Sequence, residues 1–282
     1  MGRSVGTAGA GSMAIVAVLL LKLTLTPFLV GGASLAARRW GPAVGGWIVS
    51  LPLTSGPVLL FLALERGPQF AADAAVGTLL GLGAIVAFAL AFAAASSRGA
   101  LASIVAASVA YAAAGIVLQG AAGWPFLVLV GLVAAAILGA ARALPASSRA
   151  RVAAVHPSWD LPARVVVGTA LVLGMTSVAP LLGPVASGVV TTFPVYVSVL
   201  SMFAFLHDGR EGAIGVLRGM LTGLAGTALF YVPVHLLVVP LGIAPAFAAA
   251  VLVAVAVQVV ALPRVRASAA GADQPEVEPE LV

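Results

Sequence analysis

The chain has 282 residues, of which 62% are hydrophobic and only 8% charged, and its mean hydropathy is +1.17. About a quarter of the residues of a soluble domain are charged, so this chain has too few polar side chains to cover a water-facing surface. The composition excludes a soluble enzyme, and the absence of cysteine excludes disulfides, thiolate metal sites and thiol nucleophiles. It indicates a polytopic membrane protein.

Nine uninterrupted apolar stretches are long enough to cross a bilayer as helices, which takes about 20 residues each. Polar and apolar residues do not alternate in them, so membrane strands are not expected. The first could be a signal peptide behind Arg3, but it runs on to Ala37 and is too long for one. The stretches are residues 13–36, 42–63, 70–95, 99–118, 124–143, 163–182, 184–206, 212–238 and 241–262.

The basic residues set the predicted orientation. With the N-terminus outside, 11 of the 14 lysines and arginines lie on the cytoplasmic side, as the positive-inside rule requires. We therefore predict a multi-pass protein of the bacterial cytoplasmic (inner) membrane with its C-terminus in the cytoplasm. The high pI reflects this topology and not nucleic-acid binding.

An internal repeat is the most informative feature of the sequence. A shift of 142 positions aligns residues 41–82 with residues 183–224 without gaps, and 12 of these 42 positions are identical. Seven of the 12 are glycine or proline, residue types that are placed for backbone reasons. One extra span, 124–143, separates the copies and would invert the second copy relative to the first.

We therefore predict an all-α membrane protein of about nine transmembrane helices, in which one linker helix joins two inverted four-helix repeats (4+1+4). The predicted units are repeat 1 (residues 1–118), the linker span (119–143), a cytoplasmic linker (144–162), repeat 2 (163–262) and a disordered acidic tail (263–282).

Repeat 2 contains several short motifs, namely Pro194-Val195, Asp208-Gly209, Arg218-Gly219-Met220-Leu221 with Gly223-Leu224, and Pro240-Leu241-Gly242. In these motifs it resembles small four-helix bacterial inner-membrane proteins of the GlpM-like kind and related uncharacterised families. The resemblance covers residues 163–262 and reaches repeat 1 only through the internal alignment, where Val76 stands in place of Arg218. It implies a four-helix architecture and little chemistry.

Helix breaks in the second helix of each repeat give the candidate substrate path. Proline removes a backbone donor and clashes with the preceding turn, so Pro52 and Pro194 should kink or break their helices near mid-membrane. Broken helices can hold an ion or a polar group, although neighbouring hydroxyls can instead satisfy a static kink. The path candidates are Pro52, Thr54, Ser55, Pro57, Thr191, Thr192, Pro194, Tyr196 and Ser198.

Four polar residues within or near the spans each allow two interpretations. Arg218 could contact an anion, or it could pair with Asp208 or Glu211. Lys22 would snorkel outward unless a partner is buried beside it. Asp73 should cap its helix or pair locally with Arg66 rather than carry protons. His235 should be a hydrogen-bonded filler of a helix interface rather than a ligand or a proton relay.

No enzyme motif, paired carboxylates or metal-ligand spacing is present, so we predict neither an enzyme nor a cofactor. The leading hypothesis is a gradient-driven transporter or permease for a small polar or anionic solute or a lipid headgroup. The alternative is a non-transporting scaffold or regulatory subunit for a partner in envelope or lipid metabolism. The predicted partners are membrane lipid, such a solute and a protein at the cytoplasmic linker, and no nucleic acid.

Overall fold

A computed structural model describes residue 24 and residues 26–53, 55–145, 157–178 and 193–270. These residues form helices and the turns between them, and none of them lies in a strand. The helices are α1 (residues 26–40), α2 (Pro42–Val49), α3 (Ser55–Arg66), α4 (Pro68–Ala95), α5 (Ala100–Gln119), α6 (Phe126–Ala143), α7 (Asp160–Val178), α8 (Val195–Leu241) and α9 (Ile243–Ala270), with a short 3₁₀ helix, Ser96–Arg98, after α4.

Five of the described helices are long and apolar enough to cross a membrane. The described residues therefore confirm the expected all-helical fold with five candidate membrane spans, and the finer 4+1+4 arrangement stays a prediction. The five segments are Pro68–Arg98, Ala100–Gln119, Phe126–Ala143, Val195–Leu241 and Ile243–Pro263.

Helix α8 is too long for a single crossing. Its 47 residues would extend about 70 Å as one straight helix, whereas the hydrocarbon core of a bilayer is about 30 Å thick. Gly209 divides it, with φ 70° and ψ −164°, into an N-terminal arm (residues 195–208) and a C-terminal arm (residues 210–241). Only glycine adopts this backbone conformation readily, and Gly67 between α3 and α4 has nearly the same one.

The described helices pack around two main clusters of buried side chains. The larger cluster joins α3, α4, α5 and α6 to the C-terminal arm of α8 and to α9. The smaller cluster joins α1 and α7 to the N-terminal arm of α8. Helix α8 therefore belongs to both clusters, and its two arms also cross between them, since Val197 lies in the larger cluster and Val216 in the smaller.

Helix α4 and the C-terminal arm of α8 run antiparallel, as two side-chain contacts at opposite ends demonstrate. At the end of α4, Arg210 Nε donates a hydrogen bond to Ser96 Oγ over 2.7 Å. At the start of α4, His235 Nδ1 lies 2.9 Å from the Ala72 carbonyl oxygen and its ring stacks on Phe126. His235 is thus the hydrogen-bonded interface residue expected from the sequence.

Helix α2 lies against the C-terminal arm of α8 at a distance that only small residues permit. A Cβ atom added at Gly219 would overlap the Ala43 carbonyl, and one added at Gly46 would overlap the Val216 carbonyl. One turn further along, a Cβ at Gly223 would overlap the Ser50 hydroxyl. Close backbone approach of this kind is a main source of helix–helix attraction in lipid, because burial of apolar surface contributes little there.

The C-terminal boundary of the helical region differs from the prediction. Residues 263–270, assigned from the sequence to a disordered tail, continue helix α9 to Ala270. The run from Ala267 to Ala270 consists of alanine and serine, which lets the helix continue past Pro263. The rest of the tail, 271–282, lies outside the described residues.

Candidate site: a cavity between two helix starts

The predicted second span of repeat 1 is broken. Helix α2 ends at Val49 and α3 begins at Ser55, so the break expected at Pro52 is confirmed. Pro52 cannot donate a backbone hydrogen bond, and Pro57 lies in the first turn of α3, where its missing N–H costs little. The Ser50 side chain helps to end α2 by donating to the Trp47 carbonyl over 2.6 Å.

A helix also begins at the matching position of repeat 2. Pro194 is the N-cap of α8, and no side chain caps this end. The Ser198 hydroxyl donates instead to the Pro194 carbonyl over 2.9 Å, within the first turn. Both proline-containing stretches therefore produce a helix start, at Ser55 in one copy and at Val195 in the other.

The two helix starts open onto one cavity of about 470 Å³. Helices α2, α3, α4, α7 and α8 contribute to its wall. The described residues with polar side chains in the wall are Ser50, Ser55, Thr78, Tyr196, Thr227 and Tyr231, and the remainder are apolar, such as Val58, Leu62, Ile85, Met175, Phe193 and Leu224.

Two of these hydroxyl groups form hydrogen bonds that connect different helices. Thr227 Oγ1 donates a hydrogen bond to the Ser50 carbonyl oxygen, which joins α8 to the break after α2. The Tyr196 hydroxyl lies 3.1 Å from Thr26 Oγ1 on α1. The break in repeat 1 is thus attached to α8, and the start of α8 to α1.

The cavity lies halfway along the long helices. Its wall includes Thr78 to Ile85 of α4 and Met220 to Tyr231 of α8, the central parts of these spans. On α7, Val172 lines the cavity 12 residues from Asp160, or roughly 18 Å away at 1.5 Å per residue. This distance is close to half the thickness of a bilayer core, so Asp160 lies near a membrane surface when the cavity is central.

The predicted path residues fall into three groups. Ser55, Pro194 and Tyr196 line the cavity. Pro52, Pro57 and Ser198 belong to the same two helix starts, and the Pro52 carbonyl accepts a hydrogen bond from the Gly56 amide over 3.0 Å. Thr54, Thr191 and Thr192, like Lys22, lie outside the described residues.

Arg218 caps the linker helix. Its Nη1 donates to the carbonyl oxygens of Leu144, over 2.9 Å, and Pro145, over 2.7 Å, at the end of α6. A cation there satisfies terminal carbonyls and interacts well with the negative end of the helix dipole. The anion contact predicted for this arginine stays a prediction. Asp73 accepts a hydrogen bond from Gln69 over 3.4 Å, one turn away.

The structure contains a second polar cluster, which was not predicted from the sequence. Asp160, at the start of α7, is fully buried and has three partners: Arg38 Nη2 at 2.6 Å, His207 Nε2 at 2.7 Å and Arg164 Nε at 2.9 Å. These residues belong to α1, α7 and the N-terminal arm of α8, the three elements of the smaller cluster. The Arg164 guanidinium also lies over the ring of Phe203.

The charges around Asp160 keep it ionised. Burial by itself raises the pKa of this carboxyl, but the hydrogen bond from Arg38 and the charges of Arg164 and His207 outweigh burial. The pKa therefore lies below the ordinary 3.8. The i, i+4 spacing of Asp160 and Arg164 was visible in the sequence, but the partners on other helices were not.

Among the described residues, no group of three or more histidine, cysteine, aspartate or glutamate side chains could hold a metal ion.

The chain matches no protein-family model, no curated protein and no solved structure. The expectations that rest on the GlpM-like resemblance therefore stay predictions.

Proposed function

We propose that the protein is a gradient-driven membrane transporter or permease for a small polar or anionic solute or a lipid headgroup. Its path runs through the cavity between the helix starts at Ser55 and Val195. The observation that carries this proposal is that the helix starts next to Pro52 and Pro194, two positions predicted from the sequence, border the same cavity. A ligand site of about 470 Å³ is within the usual range for small molecules.

The proposed architecture is a pair of inverted four-helix repeats joined by α6, in the bacterial inner membrane with the N-terminus outside. One finding supports it: helix α4 and the C-terminal arm of α8, which match at the offset of 142, run antiparallel. In transporters built from inverted repeats, the substrate site lies at the repeat interface near the midplane.

Cysteine accessibility tests the path, and the cysteine-free chain gives no background labelling. Ser55→Cys, in the cavity wall, should react with a small membrane-impermeant thiol reagent. Ser201→Cys, fully buried in the N-terminal arm of α8 and away from the cavity wall, should not react. Ser97→Cys, exposed after α4, is the positive control and should label from the cytoplasmic side.

The scaffold alternative makes the opposite prediction. Most of the cavity wall is apolar, and a cavity of that kind can stay dry. If Ser55→Cys stays unlabelled while Ser97→Cys reacts, water does not reach the cavity and the transport proposal is abandoned. Co-purification of a stoichiometric partner protein would then support the scaffold.

A further inference from the structure

A second, smaller cavity lies beside Arg218. Its volume is about 60 Å³, which is room for a few water molecules and so for a group of a few heavy atoms. Helices α2, α6, α8 and α9 contribute to its wall, and Arg218 is the only charged residue in the described part of that wall. We call this cavity the Arg218 pocket, and its described wall residues are Ala43, Ala141, Arg218, Gly219, Thr222 and Val265.

The Arg218 pocket lies at one end of the membrane spans. Ala141 is in the last turn of α6, which ends at Ala143. On α9, Val265 lies 22 residues after Ile243, the first residue of the helix, or about 33 Å away at 1.5 Å per residue. The hydrocarbon core of a bilayer is about 30 Å thick, so α9 crosses nearly all of it before it reaches the pocket. The pocket is therefore at the depth of the lipid headgroups.

The positive charge of Arg218 has no full countercharge in the described part of the chain. Its Nη1 donates to the carbonyl oxygens of Leu144 and Pro145, which carry only partial charges. The ion pairs among the described residues do not include Arg218, so the pairing with Asp208 or Glu211 that the sequence allows is not formed.

The free edge of the Arg218 guanidinium suits a phosphate group. Both hydrogen bonds to the end of α6 use Nη1, and Nε and Nη2 have no acceptor among the described residues. These two nitrogens share one edge of the guanidinium and direct their N–H bonds in parallel. Such a planar pair of donors matches two oxygens of a phosphate group.

The same end of the molecule is rich in arginine. Six arginines besides Arg164 lie there, whereas the described acids at this end are Asp160, Asp208 and Glu211. A zwitterionic lipid would bring a further cation into these surroundings, but an anionic lipid would not, so the local charge favours an anionic headgroup. The six are Arg38, Arg39, Arg98, Arg142, Arg210 and Arg218.

We infer that the Arg218 pocket binds the phosphate group of an anionic phospholipid. The phosphate oxygens accept hydrogen bonds from Nε and Nη2 of Arg218. The acyl chains run towards the membrane centre along exposed apolar side chains such as Leu138, one turn before Ala141 on α6. The pocket shares no described wall residue with the larger cavity, so this inference does not depend on the proposed transport path.

Lipid binding to the purified full chain tests the inference. Native mass spectrometry measures the dissociation constant of the first bound lipid. The probes are dioleoyl phosphatidylglycerol and dioleoyl phosphatidylcholine, which share their acyl chains and phosphate group but differ in net charge. We expect phosphatidylglycerol to bind at least about fivefold more tightly, as for one arginine beside an anionic headgroup. Equal affinities would overturn the inference.

Free phosphate is the other source of the same chemical group. Millimolar inorganic phosphate should not displace bound phosphatidylglycerol, because it has no acyl chains to pack against the helices. Complete displacement would assign the pocket to free phosphate and overturn the lipid assignment.

Three substitutions locate the contact. Arg218→Val should abolish the preference for phosphatidylglycerol, but it also removes the cap of α6. Ala141→Leu keeps Arg218 and the cap but fills the pocket, so it should abolish the preference as well. Arg142→Val removes a neighbouring exposed cation outside the described wall and should leave most of the preference.

Two outcomes of this series would overturn the pocket as the binding site. If Arg142→Val reduces the preference as much as Arg218→Val does, the lipid is selected by the basic surface as a whole. If Ala141→Leu leaves the preference intact, the phosphate group is bound somewhere other than the pocket.

Discussion

The glycine pairs of α4 and α8 match in sequence but differ in their surroundings. Gly219 and Gly223 of α8 press against α2 so closely that neither has room for a Cβ atom. A Cβ atom added at Gly77 of α4 would meet no other atom within 4 Å, and Gly81 lines the cavity. The matched glycines therefore serve a helix contact in the predicted repeat 2 and border open space in the predicted repeat 1.

The largest expected difference in the free energy of unfolding is between alanine substitutions at Gly219 and at Gly77. Gly219→Ala should lower the free energy of unfolding by about 3 kcal/mol, because its Cβ overlaps the Ala43 backbone and α2 must move. Gly77→Ala should be neutral or stabilise the protein by up to about 1 kcal/mol, since alanine favours a helix. Thermal unfolding in detergent measures both, and equal effects would show that the packing of the two copies is alike.

The buried acid at the start of α7 secures the N-terminal arm of α8. Asp160→Asn should cost about 3 kcal/mol, because it leaves Arg38 and Arg164 without their anion. Asp73→Asn, at an exposed position of α4, should change stability by less than about 0.5 kcal/mol. A wild-type unfolding midpoint in Asp160→Asn would refute this role of the cluster.

The same carboxylate predicts a pH dependence. Its pKa in the folded protein lies below 3.8, so its stabilising contribution is complete above that value and is lost as the pH falls through the folded pKa. The difference in unfolding midpoint between the wild type and Asp160→Asn should therefore stay constant from about pH 7 to 5 and shrink below about pH 4. A difference that does not shrink in acid would contradict the assignment.

Arg218 marks another difference between the copies, because Val76 occupies the matching position in α4. Arg218→Val removes both hydrogen bonds to the end of α6 and should cost about 1–2 kcal/mol. Arg142→Val removes only a 3.4 Å exposed contact to the Leu138 carbonyl and serves as the control. If both substitutions have the same effect on the unfolding midpoint, Arg218 does not cap α6.

The smallest expected effect on stability concerns the hydrogen bond from the Thr227 hydroxyl to the Ser50 carbonyl in the cavity wall. Thr227→Val leaves the Ser50 carbonyl without its donor and should cost about 1 kcal/mol. Thr222→Val removes a hydrogen bond to a carbonyl of its own helix, so the change should be near zero. The difference between their unfolding midpoints isolates the contact between α8 and the break after α2.

The backbone consequences of proline and glycine could be predicted from the sequence. Pro52 breaks its helix for a local reason, and Gly67 and Gly209 adopt a conformation that other residues avoid. The partners of charged residues could not be predicted, because they depend on how helices pack. Arg38 meets Asp160 across 122 positions, and Arg218 meets a carbonyl 74 positions away.

The contact between α2 and α8 also determines when α2 can pack during synthesis of the chain. Helix α2 is complete at Val49, but the glycine face that it needs starts at Gly215, 166 residues later. At about 5–20 residues per second, the ribosome takes roughly 10–30 s to supply that partner. An eight-residue helix is marginal alone, so α2 must wait in the membrane insertion machinery or among lipids before it can dock.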